Sequence, residues 1–249
     1  MSRGDDSACV DVVYEDNHVI AIVKPAGAAS QPDRTGDPCI IDTVKTLLKS
    51  RDAKPGNVHL ASLHRLDRPA SGVLLLAKTS KAASRLAEAF RDRRVTKTYL
   101  AVVEGSPARD HDRLEQHLKK DAARNTSRIV SANAPGAKSA VLEYRVLARS
   151  AMESLVEVNI ETGRSHQIRV QLAGAGMPIA GDRRYGAKRG FGPMIALHAA
   201  RLRFPHPVRD EDVEVSAEIP ARWRELFGEK LLGAARTKTA AQTYPATPV

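Results

Sequence analysis

Val73-Leu74-Leu75-Leu76-Ala77 is an unbroken apolar run of strand length. A strand without a polar face must be covered, because no orientation of it satisfies water. The chain supplies a cover directly afterwards: Ser80 to Arg93 reads as a helix with Ala83, Leu86, Ala87 and Phe90 on one face. Immediately before the run stands His64-Arg65-Leu66-Asp67-Arg68-Pro69-Ala70-Ser71-Gly72, a loop of charged and turn-forming residues. Loop, buried strand and covering helix therefore follow one another in sequence.

Elsewhere short apolar segments alternate with turn clusters. Val10 to Tyr14 and Val19 to Val23, separated by Glu15-Asp16-Asn17-His18, predict a hairpin that ends at Lys24-Pro25-Ala26-Gly27. Ile40 to Leu48 has helical spacing, and Pro55-Gly56 interrupts the chain after it. Tyr99 to Val103, Ala140 to Val146, Leu155 to Ile160, Leu197 to Phe204 and Val213 to Ile219 read as strands, the second and third as an antiparallel pair. Arg109 to Asn125 carries both charge signs and few apolar residues, which predicts an excursion over the surface. Ser165 is placed to cap a helix reaching Ala175, and Arg222 to Leu232 reads as a closing helix. The sum is an α+β fold: one large mixed, mostly antiparallel sheet, flanked by helices, with a central cleft. Residues 1–9 are expected to be a flexible N-terminus, 10–232 a single folded domain and 233–249 a disordered tail.

Among 249 residues, 39 Lys and Arg stand against 29 Asp and Glu, a formal charge of +10. Such an excess suits a polyanionic partner, and its clusters at Arg91-Asp92-Arg93-Arg94, Lys119-Lys120 and Arg183-Arg184 resemble a folded charged face. Cys9 and Cys39 form neither a disulfide framework nor a zinc motif, which fits a reducing cytoplasm. No apolar run reaches membrane-spanning length, so membrane insertion is disfavoured. The eight histidines include no HxH or HxxxH pairing, and GxSxG, GxxxxGK[ST] and GxGxxG are missing. Neither a metal nor an organic cofactor is expected.

Four segments invite a chemical reading. Asp67 lies between Arg65 and Arg68, neighbours that favour the ionised carboxylate and so suit a nucleophile or orienting anion over a general acid. The plain alternative is a solvated ion pair worth about 0–1 kcal/mol. Arg94-Val95-Thr96-Lys97-Thr98-Tyr99 leads basic residues into a strand in a chain with 4% aromatics. A tyrosine there is ordinarily core; alternatively its ring stacks on a base or its phenol moves a proton. Glu161-Thr162-Gly163-Arg164-Ser165-His166-Gln167-Ile168-Arg169 turns a strand into a helix N-terminus, which presents amides and an arginine to a phosphate or to the protein's own carboxylate. An ordinary capped helix explains it equally. Leu197, opening Leu197-His198-Ala199-Ala200-Arg201-Leu202, reads as core unless the fold brings it to a pocket wall.

In order, His64-Arg65-Leu66-Asp67 with Ser71-Gly72, Lys97-Thr98-Tyr99, Thr162 to Arg169 with Gly181-Asp182 and Tyr185-Gly186, and Leu197-His198-Ala199 resemble the RluA family of RNA pseudouridine synthases. The similarity runs from about Val10 to Leu232 and includes Lys24-Pro25-Ala26-Gly27; Ala70 and Gln171 depart from the residues most frequent there. The resemblance implies an isomerase that detaches uracil from C1′ of a uridine in tRNA or large-subunit rRNA, rotates it and rejoins it through C5. It implies that Asp67 works at C1′, by direct attack or through a glycal. Tyr99 packs on the base and is a candidate for removing the C5 proton, and Arg164 pairs with the aspartate. Arg65 fills the space of the flipped nucleotide, Lys97 belongs to the substrate-binding set and Leu197 lines the pocket. The implied partner is RNA and not DNA, met without an S4 domain; a monomer is the default expectation, and the cysteine usage already points to the cytoplasm. The rivals are a non-catalytic RNA-binding or RNA-folding protein on the same scaffold and a nucleosidase acting on free uridine.

Overall fold

A computed structural model describes residues 10–32, 37–53, 56–192, 194–221 and 223. The hairpin β1 (Asp11–Glu15) and β2 (Val19–Lys24) is followed by α1 (Ile40–Arg51), β3 (Ala61–Ser62), β4 (Ser71–Ala77) and α2 (Ser80–Arg91). Then come β5 (Thr96–Glu104), β6 (His111–Asp121), β7 (Thr126–Val130), β8 (Lys138–Arg149) and β9 (Glu153–Ile160). The helix α3 (Gln167–Gly174) precedes β10 (Leu197–Pro205) and β11 (Asp212–Ser216).

All eleven strands among the described residues belong to one sheet, ordered β1-β2-β4-β10-β5-β9-β8-β6-β7, with β11 beside β10 and β3 beside β4. Only β4 and β10 run parallel among the described strands. The mixed, mostly antiparallel α+β architecture expected from the sequence is therefore the one observed. The run Val73 to Ala77 explains itself in β4. Leu74 and Leu76 pack with Ile40, Ile41, Val44 and Leu48 of α1 on one face, while Val73 and Leu75 pack with Leu86 and Ala89 of α2 on the other. Full burial of each leucine contributes roughly 1.5–3 kcal/mol, which is why neither face tolerates a polar residue.

Gly72 decides how closely β4 meets β10. Its φ is +116°, and a Cβ there would lie 2.2 Å from the Ala199 carbonyl oxygen. Gly72→Ala is thus expected to destabilise the protein by about 2–4 kcal/mol, from positive-φ strain and overpacking together. An unchanged urea midpoint for that variant would contradict the close approach.

Three local expectations are corrected. Residues 109–125 are no loop excursion: most of them form β6, paired with β8 and β7. Charge disguised the strand, because its arginines and acids pair across the sheet, as Arg113 does with Glu143. The buried face of α2 is Ala82, Leu86 and Ala89, rotated from the expected set, with Thr79 capping the helix by accepting the Ala82 amide at 3.2 Å. Ser165 caps nothing; α3 starts later, after His166 in the left-handed region at φ 54°. The expected N-terminal segment 1–9, the tail 233–249 and nearly all of the expected helix 222–232 lie outside the described residues.

Candidate active site

The loop before β4 is held in place by its own backbone and by one buried cation. Lys24, fully buried, donates from Nζ to the carbonyls of Pro25 (2.9 Å), Ala28 (2.8 Å) and Arg68 (3.3 Å). Burial pulls its ammonium down to about 8, with Asp67 opposing that shift and Arg68 adding to it. Ser30 Oγ donates to the Leu66 carbonyl (2.8 Å) and accepts the Leu66 amide (3.1 Å), and the Gly27 amide bonds the Arg68 carbonyl at 2.7 Å. His64 closes the other end. Its Nε2 accepts the Leu75 amide at 3.0 Å and its ring stacks on Phe90 with centroids 5.2 Å apart.

Burial, followed by the Lys97 charge, lowers the His64 imidazole to about 3, so the ring is neutral in the fold. The unfolded ring titrates near 6.5. The stability this contributes is therefore complete above about 6.5 and is lost as pH falls from there through about 3. His64→Gln, which keeps an acceptor for Leu75, should flatten the acid limb of the stability–pH curve; a slope identical to wild type would refute the assignment.

Between these anchors Asp67 faces a cavity of about 690 Å³ whose walls include Leu66, Lys97, Tyr99, Arg164 and Leu197. The carboxylate is held from α3. Arg169 Nη1 donates to Asp67 Oδ2 at 3.0 Å, while Nε and Nη2 grip both oxygens of Asp182 at 2.6 and 2.9 Å. Asp182 is 1% exposed and Arg169 4%, so the pair forms a buried base under the more accessible Asp67. The Tyr185 ring lies 5.0 Å from the guanidinium, and its hydroxyl contacts His166 Nδ1 at 2.8 Å while accepting the Ser127 amide at 2.8 Å. That contact fixes the imidazole, whose Nε2 lies 3.9 Å from Asp67 Oδ1.

Residues 18–174 match the family model described as RNA pseudouridylate synthase. The chain belongs to that family. It is 32% identical to ribosomal large subunit pseudouridine synthase D of Zymomonas mobilis, over 88% of this chain and 72% of the relative. With tRNA pseudouridine synthase C of Vibrio vulnificus it shares 30%, over 88% and 94%. Among solved structures, human RNA pseudouridylate synthase domain containing 1 superimposes with a TM-score of 0.72 at 25% identity, covering 95% of this chain and 98% of that one. The activity that goes with this pseudouridylate synthase family is isomerisation of uridine in RNA, and RNA is its partner.

Of the expected residues, Asp67, Tyr99, Arg164, Arg65, Lys97 and Leu197 all line the one cavity. The expected partner of Asp67 is the correction. Arg164 donates Nε to the Ser139 carbonyl at 2.9 Å, and the arginine that pairs with Asp67 is Arg169. The cause is the late start of α3. Gln167 Oε1 accepts the Arg164 amide (3.0 Å) and the Thr162 hydroxyl (2.7 Å), locking a turn that leaves Arg164 outside and carries Arg169 inward in the first helical turn. Arg68 reaches the Gly27 carbonyl and Asp37, and Arg65 is exposed on the rim. Only the structure marks Arg169: six consecutive residues, Gln167 to Leu172, are buried, and a cation inside such a stretch requires a counter-charge.

Tyr99 stands in the middle of the sheet, opposite Ala199 on β10 and Val158 on β9. Burial, then the charge of Asp67, pushes its phenol well above the ordinary range, so the ring is uncharged. Lys97 is held over the Phe90 ring at 5.8 Å, its ammonium lowered by burial. Gln171 ties α3 to the sheet, donating to the carbonyls of Leu114 and Ala140 at 3.1 and 3.2 Å. Among the described residues no group of three or more His, Cys, Asp or Glu is disposed to hold a metal ion, and no helix is long and apolar enough to cross a membrane.

Proposed function

We propose that this chain isomerises specific uridines of large-subunit ribosomal RNA or transfer RNA, acting as a cytoplasmic monomer on RNA and not on DNA. The observation that carries the site assignment is Asp67, an accessible carboxylate on a cavity wall whose orientation is set by the buried Arg169–Asp182 pair. The isomerisation breaks C1′–N1 and forms C1′–C5; the proton lost from C5 balances the one gained at N1, so no redox partner or energy source is needed. Asp67 works at C1′, where charge changes as the glycosidic bond breaks. A fixed, already solvated anion stabilises that change without reorganising.

Tyr99 and Leu197 supply the apolar walls against which a flipped uracil packs, and Lys97, Arg164 and Arg65 supply cations for the flanking phosphates. A phenol pushed upward by burial and by Asp67 is a poor proton acceptor, which supports the packing role of Tyr99 over proton removal. The relatives' substrates, large-subunit rRNA for one and tRNA for another, support both RNA classes as candidates. The charge of +10 supports a polymer over free uridine.

Pseudouridine mapping of rRNA and tRNA tests this in cells with and without the gene. At least one site should vanish on deletion and return with the wild-type chain. An unchanged map, or release of uracil from free uridine by the purified protein, would sink the proposal.

A further inference from the structure

Asp67 is a ridge between two cavities. Across it from the first lies a second of about 920 Å³, and the two share Arg65, Leu66, Asp67, His166 and Arg169 as a common wall. That volume falls within the range of about 300–1,000 Å³ typical of sites for small organic ligands. Its far rim is cationic. Arg183 and Arg184 follow Asp182 on a single 3-10 turn, and Arg184 Nη1 donates to the Asn125 carbonyl at 3.1 Å, which fixes this rim to the β6–β7 turn. The side chains of Arg65 and Arg183 have no hydrogen bond or ion pair among the described residues, and both are exposed.

The acids that face this cavity do not neutralise those cations. Among the described residues these are Asp67 and Asp182, both held by Arg169. The opposite wall is apolar and built from close backbone. Gly27, at φ +96°, stands against Met194, whose Cε would lie 3.0 Å from a Cβ there, and Pro32 lies beside them. Gly181, at φ +83°, allows the Met194 carbonyl to within 2.5 Å of where a Cβ would sit.

We propose that this second cavity is a subsite for a nucleotide next to the reacting uridine, its phosphodiester on Arg183 and Arg65 and its base against Met194. The proposal rests on the isomerase reading, since only a polymer threads both sides of Asp67. A single-stranded segment is required, because a stacked duplex does not divide its bases between two pockets. The subsite makes discrimination among RNAs depend partly on a residue the chemistry does not touch.

The test uses the full chain and a synthetic stem-loop carrying a uridine found by mapping, with the phosphodiester on either side replaced in turn by an uncharged methylphosphonate. Pseudouridine formation is measured for wild type and Arg183→Ala. Arg183→Ala should raise KM about tenfold on the native stem-loop with little change in kcat, the size of one lost charge-assisted contact. At one of the two linkages, neutralisation should raise the wild-type KM at least as much, yet raise that of Arg183→Ala by a smaller factor, because the Arg183 contact is already gone and only that of Arg65 remains to be lost. The magnitude of the log-affinity slope against log salt should fall by about one. Factors that multiply at both linkages, or a wild-type KM for Arg183→Ala, overturn the subsite while leaving the isomerase reading intact. A wild-type chain inactive on every rRNA and tRNA overturns both.

Discussion

Asp67→Asn is expected to abolish pseudouridine formation, by at least about a thousandfold under single turnover, while leaving RNA affinity within about threefold of wild type. Asparagine is nearly isosteric, and its carbonyl still accepts from Arg169 Nη1, which reaches Oδ2 at 3.0 Å. The loop around it is anchored by Lys24, Ser30 and His64, none of which bonds through the Asp67 side chain. What disappears is the negative charge at C1′ and nothing else nearby. Loss of binding in parallel with activity would mean that the carboxylate holds RNA and does no chemistry. Retention of wild-type turnover would remove Asp67 from the reaction altogether.

Arg169→Met should cost both stability and activity, and the two losses should be separable. Methionine roughly fills the space of the arginine stem, but Asp182, 1% exposed, would be left as a buried carboxylate without its counter-charge. Breaking such a pair from one side costs about 3–5 kcal/mol, readable as a fall in urea midpoint. Replacing both members by apolar residues is often neutral, so Arg169→Met with Asp182→Leu should recover much of that loss without recovering turnover. If the double variant were as unstable as the single one, the buried charge would not be the cause. Arg164→Met provides the contrast. Its exposed guanidinium bonds a carbonyl of β8, and removing it should change stability by no more than about 0.5 kcal/mol. Turnover lost in Arg164→Met and kept in Arg169→Met would return the pairing role to Arg164.

Much of the scaffold was legible because its signals are local. The alternating burial along β8, the hairpin of β1 and β2 and the doubly buried β4 follow from short-range patterns that any packing must respect. β6 escaped because polar composition says loop, whereas strand formation there is decided by partners on β7 and β8 that lie elsewhere in the chain. The face of α2 was misplaced for a related reason: alanines at several phases of the helix look alike until the sheet selects one.

The same division runs through the site. From the chain alone came the ordered motifs, the choice of Asp67 as the reactive carboxylate and the family that such a series resembles. Spacing along a chain could not say which of the nearby arginines meets that carboxylate. That choice was made by a left-handed residue at His166 and a glutamine that folds back on its own turn, which together delay α3 and swing Arg169 inward. Asp182, which holds Arg169 in turn, arrives from beyond the helix. Ion pairing depends on distance through space, and only the tertiary structure sets it.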